Sequence, residues 1–150
     1  MLVKRGDKYL IMKRSPQKII APNIVHTIGG KVDANEDPYD AAQRELREEA
    51  GLVAQNIRLR AVVTEVKPES SPNWQIFYFI GDYKDGEVQP TEEGDLLWLT
   101  KEQIKASNLY SSVRHIIDAM LDESHGMVFG RFLYDDEDEL IDGNFSVLAN

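Results

Sequence analysis

The most regular hydrophobic period in the chain lies between Asp37 and Gly51. At about 3.6 residues per turn, Tyr39, Ala42, Leu46 and Ala50 line one apolar face and Ala41, Glu45, Glu48 and Glu49 cluster on another. Both ends carry helix punctuation: Asp37 is a good N-cap, Pro38 fits the first helical position, Asp40 places negative charge at the positive helix end, and Gly51 supplies the stop. Most of the remaining apolar positions follow strand patterns. Residues 2–4 and 9–13 flank a turn at Gly6-Asp7 and read as a hairpin, residues 15–23 have no period, and residues 24–28 form a strand running into Gly29-Gly30. Residues 57–65 and 75–83, rich in β-branched and aromatic side chains, are separated by the turn-prone segment KPESSPN, and 95–99 reads as one more strand. A short helical turn at 101–106 precedes a helix over 111–121, in which Val113, Ile116, Ile117, Met120 and Leu121 recur at core spacing and His115 points away. Residues 127–134 and 140–148 form a closing β-hairpin. Strands and helices interleave along the chain.

Composition narrows the class. A chain of 150 residues suits a single domain over 1–150. Its 17 basic and 26 acidic residues give a net charge of −9, which argues against a nucleic-acid or membrane surface. There is no cysteine, so neither disulfides nor thiolate chemistry is available. No apolar run approaches the roughly 20 residues of a membrane span, and the first residues lack the apolar core of a signal peptide, so a cytoplasmic protein is expected. The acidic run at 135–139 reads as a solvated loop.

Glu45, Glu48 and Glu49 stand at helical neighbour spacing and repel one another by a few tenths of a kcal/mol per pair, so a compensating positive charge is required. Arg44 and Arg47 could supply it on a solvated face; a divalent cation such as Mg²⁺, which takes carboxylate oxygens and shares them with phosphates, could supply it in a site. Helix geometry leaves both open. The spacing around the helix adds a resemblance. Gly30, then Glu36 after five residues, then after seven more Arg44-Glu45-Leu46-Arg47-Glu48-Glu49-Ala50-Gly51-Leu52, resembles the Nudix hydrolase signature G-x5-E-x7-R-E-U-x-E-E-x-G-U, U being aliphatic, at every fixed position.

That resemblance implies an α+β Nudix fold, a mixed β-sheet core sandwiched between helices, here with a C-terminal hairpin similar to that of the oxidised-purine nucleotide hydrolases. It implies hydrolysis of a nucleoside diphosphate linked to another group, by water attacking phosphorus, with Mg²⁺ or Mn²⁺ held by Glu45, Glu48, Glu49 and the Gly30 carbonyl. Arg44 and Glu36 are expected to pair and hold the loop on the helix, and Glu93, rather than Glu92, to reach the metals from the loop at 90–95. Substrate contacts are expected from His26 at the glycine turn, from Lys13 and Arg14 after the second strand, and from Asn108, with Ser111 and Ser112 as further polar groups; the base-reading aspartate pair of the animal oxidised-purine enzyme has no counterpart in KASNLYSS. In the family the strand before the first turn is normally longer than residues 2–4, which implies residues ahead of Met1. The leading substrate is a small-molecule nucleotide, a nucleoside triphosphate such as 8-oxo-dGTP split to monophosphate and pyrophosphate. ADP-ribose or another nucleotide sugar is the alternative, since Pro68 falls sixteen residues beyond Leu52, near where a proline marks many ADP-ribose hydrolases. A capped RNA end finds no basic groove, and a non-catalytic nucleotide-binding module is the answer from a different class.

Overall fold

The computed structural model describes residues 1–17, 22–68, 71–89 and 91–149, so parts of the expected loops at 15–23, 67–73 and 90–95 lie outside the described residues. Its elements in chain order are β1 (Leu2–Arg5), β2 (Lys8–Arg14), β3 (Val25–His26), α1 (Pro38–Ala50), β4 (Leu52–Val66), β5 (Trp74–Gly86), β6 (Gly94–Thr100), α2 (Lys101–Lys105), α3 (Ser111–Leu121), β7 (Val128–Tyr134) and β8 (Leu140–Val147). The sheet is mixed: β1 pairs in parallel with β5 and β4 with β7, while β2 pairs antiparallel with β1, β3 and β6. The fold is therefore α+β, as the resemblance implies. The chain divides into two compact units, Met1–Arg58 with Phe79–Tyr110, and Leu59–Tyr78 with Ser111–Asn150.

In the first unit β2 is the organising strand. Tyr9, Leu10, Ile11 and Met12 are all buried, which is why this strand reads as a continuous apolar run instead of an alternating one. One side of β2 carries β6, in register from Lys8↔Thr100 to Arg14↔Gly94; β1 and β3 pair with it at Val3↔Leu10 and Met12↔His26. Helix α1 begins where Asp37 accepts hydrogen bonds from the Tyr39 and Asp40 amides at 2.8 and 3.0 Å, and ends at Gly51, whose φ of 70° carries the left-handed cap. Strand β4 follows at Leu52 with no loop between, five residues earlier than the pattern places it.

The face of α1 requires a correction. Ala41, Leu46 and Ala50 are its buried residues, whereas Tyr39 is 44% exposed and Ala42 half-buried. Tyr39 lies at the helix start and meets the Phe79 ring edge-on at 6.0 Å instead of entering the core. The buried arc runs from Ala41 through Glu45 and Glu49 to Leu46 and Ala50, so these two carboxylates lie inside the packed arc and not on an opposite, solvated one.

The second unit joins the later part of β4 to β7, from Ala61↔Val128 to Val66↔Leu133, and β7 to β8 in the expected antiparallel hairpin. Val113, Ile116, Ile117, Met120 and Leu121 of α3 are buried, as their spacing predicts, and His115 is exposed with its ring tilted against Phe132. Two charged residues are buried here. Arg60 donates to the carbonyls of Ala119, Met120, Asp122 and His125, taking up the orphan acceptors at the α3 C-terminus. Glu65 accepts a 2.7 Å hydrogen bond from the Ser112 hydroxyl, and burial pushes its carboxyl above the usual range. Ser112, one of the polar groups available in its segment, is buried with its hydroxyl on Glu65.

Candidate active site

The candidate site is built where the chain leaves β3, turns at Gly29-Gly30 and crosses the carboxylate arc of α1. The two glycines are needed for different reasons. Gly29 has φ of 154°, which side chains rarely adopt; its amide donates to Glu49 Oε2 at 3.2 Å. Gly30 has no positive φ, but a Cβ there would stand 2.6 Å from Cδ of Glu45, so the carboxylate occupies the space a side chain would fill. The loop backbone and two carboxylates of α1 are thereby in direct contact.

Arg44 is the hub of the corner. Its guanidinium donates to Glu36 at 2.6 and 3.1 Å, to Glu45 at 2.7 Å, to Glu48 at 3.1 Å and to the Lys31 carbonyl at 3.0 Å. Glu36 also accepts from the Asp33 amide at 2.9 Å, so it ties the 31–36 loop to the helix; the Arg44 bond holds its carboxyl below the usual range. The Arg44–Glu36 pair has the geometry expected of it. Arg44 also takes Glu45 and Glu48, and so supplies part of the neutralising charge that the helix spacing left open between an arginine and a cation.

Glu49 stands apart from this network. Burial pushes its carboxyl above the usual range; repulsion from Glu45 and Glu93 adds to that shift, and the Gly29 amide opposes it. Glu93, half-buried, acts electrostatically on both Glu49 and His26. Its carbonyl accepts from the Ser15 amide at 3.0 Å and its amide donates to Thr91 Oγ1 at 3.1 Å, fixing the loop ahead of β6. Glu92 is exposed.

The remaining candidates sort by position. His26 pairs with Met12 across β2–β3, its Nδ1 lies 2.6 Å from the Thr27 carbonyl, and Nε2 is buried with no hydrogen-bond partner. Burial lowers its pKa and the nearby Arg14 charge adds to that, so the imidazole is held neutral. Arg14 Nε is likewise buried and without a partner. Two unsatisfied nitrogens on adjacent strands are costly unless a ligand pairs with them. Lys13 is exposed beside them, opposite Asp95. Asn108 contributes its backbone, its carbonyl accepting from the Val25 amide at 2.8 Å, while its side chain is exposed. The Pro68 carbonyl accepts a hydrogen bond from the Ser71 amide at 2.9 Å.

Among the described residues no group of three or more carboxylate or imidazole side chains gathers about one point, because Glu45 and Glu48 are turned to Arg44. The donor chemistry nevertheless fits a hard divalent cation. Carboxylate oxygens of Glu45 and Glu49 flank a glycine backbone that lets them approach, and burial, with repulsion from Glu45 added, already disfavours the ionised form of Glu49.

A glycine turn holding the carboxylate arc of one helix, beside a mixed sheet, defines the class: the NUDIX domain profile matches residues 1–120, and the chain belongs to the Nudix family. It is a Nudix hydrolase, of the pyrophosphohydrolase kind that cuts phosphoric anhydride bonds. Nudix hydrolase YvcI of Bacillus subtilis, itself uncharacterized, is 30% identical over 146 residues, covering 93% of this chain and 87% of that protein. The 8-oxo-dGTP diphosphatase of Haemophilus influenzae is 31% identical over 100 residues, 67% of this chain and 72% of that one. The NAD-capped RNA hydrolase NudC of Pseudomonas aeruginosa is 30% identical over 134 residues, but the chain spans only 44% of its length. Among solved structures, a mutator MutT protein from Bacillus halodurans superposes with a TM-score of 0.83 at 21% identity, covering 97% of this chain and 94% of that one, which establishes the shared fold. Among the described residues no helix is long and apolar enough to cross a membrane.

Proposed function

We propose that this protein is a divalent-metal-dependent pyrophosphohydrolase of small nucleotides, with a nucleoside triphosphate, including an oxidised purine such as 8-oxo-dGTP, as leading substrate. The observation that carries the reading is the corner itself, the Glu45 and Glu49 carboxylates against the Gly29-Gly30 backbone, with Glu49 desolvated and Glu93 near. Glu45, Glu48, Glu49 and the Gly30 carbonyl are the oxygen donors for Mg²⁺ or Mn²⁺. When bound, such an ion neutralises phosphate oxygens and lowers the pKa of a water. The chain's own residues orient the rest: Glu36 and Arg44 hold the loop on the helix, Gly51 ends the helix so that Leu52 continues directly into β4, and Glu93 closes the site from the β6 side. A water oxygen forms a bond to phosphorus, the bond from phosphorus to the bridging oxygen breaks, and the water proton passes to one of the glutamates; nucleoside monophosphate and pyrophosphate leave.

His26, Arg14, Lys13 and Asn108 form the proposed substrate wall. The unpartnered nitrogens of His26 and Arg14 support it, since a bound nucleotide offers the acceptors and donors they lack. The 8-oxo-dGTP diphosphatase relative supports the triphosphate reading, and the NudC relatives support a second one, a dinucleotide cut at its central pyrophosphate. The domain over 1–150 acts as one catalytic module in the cytoplasm in either case. Incubation with Mg²⁺ and a nucleotide panel separates the readings by product. Pyrophosphate with a nucleoside monophosphate supports the first, two monophosphates from a dinucleotide support the second, and tight binding with no product over the whole panel refutes both.

A further inference from the structure

β8 ends the order of hydrogen-bonded strands, paired with β7 and, among the described residues, with no other strand. Its eight residues, LIDGNFSV, contain no Lys, Arg or Pro, and Asp142 is the single charge. Apart from Asp142 and an irregularity at one end, such an edge carries none of the lysines or prolines that usually prevent strand addition. Its outer part is also apolar: Ile141 is 61% exposed, Phe145 42% and Val147 38%.

The phase of the ladder decides which backbone groups are open. Leu148 donates to the Met127 carbonyl at 2.9 Å and accepts from the Gly126 amide at 3.1 Å, so its backbone is directed at β7. By alternation Ser146, Asn144 and Asp142, opposite Phe129, Arg131 and Leu133, also direct theirs at β7. Val147, Phe145 and Gly143 therefore present their N–H and C=O groups at the free edge, and the register shift beside Tyr134 leaves Ile141 as the extra residue that ends the regular stretch.

We propose that this edge pairs with β8 of a second copy of the chain, antiparallel about a two-fold axis through Asn144. The strand is its own complement in that register. Gly143 lies opposite Phe145 of the second copy and Phe145 opposite Gly143, both as hydrogen-bonded pairs; Ile141 meets Val147 at each end, and Asp142 meets Ser146, so no like charges face each other. On its own face Gly143 has no room for a Cβ, which would run into the ring of the buried Phe132, so the incoming Phe145 lies beside a position that must stay without a side chain. Slipping the register by two residues in either direction loses the paired Gly–Phe contacts. The two-fold arrangement uses both edges and closes the assembly at two chains.

Sedimentation of the full chain over a broad concentration range tests the interface. The expected wild-type species has twice the chain mass. Phe145→Pro, which removes an outward amide and leaves the β7 bonds intact, should sediment as a monomer with an unchanged melting temperature; if it fails to fold, Phe145→Lys reads the same loss. The chain has no cysteine, so register can be read separately. Asn144→Cys places two thiols opposite each other at a non-hydrogen-bonded pair and should oxidise to a covalent dimer, whereas Ser146→Cys should not. A wild-type monomer at every concentration, a dimer that survives both Phe145 variants, open-ended aggregates, or cross-linking at Ser146→Cys in place of Asn144→Cys would each overturn the proposal.

Discussion

Gly30→Ala is the sharpest perturbation of the corner, because Gly30 is free of positive φ and alanine adopts its backbone without strain. What the added methyl meets is Glu45: Cδ at 2.6 Å and Oε2 at 3.0 Å. Ordinary contact is about 3.5–4.0 Å, so the carboxylate must retreat by roughly 1 Å. Its ion pair with Arg44 loosens, but Arg44 keeps its bonds to Glu36, Glu48 and the Lys31 carbonyl, so the fold should be retained. Catalysis is far more sensitive. A misplacement of about 1 Å costs up to ~10²-fold in rate, about 2.7 kcal/mol of transition-state stabilisation. Steady-state kcat/KM with the best nucleotide of the panel, beside a thermal melt, separates the two effects. A Gly30→Ala protein with wild-type kcat/KM would refute the claim that Glu45 works against this backbone.

Leu46→Ala tests the orientation of α1. Leu46 is 1% exposed, so truncation should cost roughly 2–5 kcal/mol, and at about 2–4 °C per kcal/mol the melting temperature should fall clearly; an unchanged melt would show the helix rotated. Glu65 makes a pH prediction. Its carboxyl is raised above the unfolded value, so the unfolded chain ionises first as pH rises; stability should fall from about pH 4.5 up to the folded value and then level off. Glu65→Gln should flatten that part of the urea-midpoint profile, and an equal slope in wild type and variant would contradict the assignment.

What could be read from the chain depended on how local the determinant was. The ends of α1, the glycine turn and the Glu36-to-Arg44 spacing lie within one stretch, and the structure brings these residues into contact. The rotation of α1 was misread because periodicity counts glutamates as solvent-facing, whereas the Gly30 backbone leaves room for Glu45 inside the packed arc. Glu65 and Arg60 gave no signal, since their partners lie 47 residues away at Ser112 and 60 at Met120, and only tertiary pairing makes burial of a charge tolerable. His26 was noticed for its place before the glycines, but its unpartnered Nε2 is a property of packing.

The central claim, that phosphoanhydride hydrolysis is carried out at the carboxylate corner of α1, is tested most directly by Glu49→Gln. The substitution keeps shape and volume and removes a carboxylate whose ionised form burial already disfavours, so the fold should be retained. Turnover of the best nucleotide should be measured against Mg²⁺ concentration for wild type and variant side by side, with circular dichroism confirming that both are folded. The account predicts that a folded Glu49→Gln protein loses most turnover and needs more Mg²⁺ for what remains. A folded variant with near-normal turnover and an unchanged Mg²⁺ requirement would contradict it.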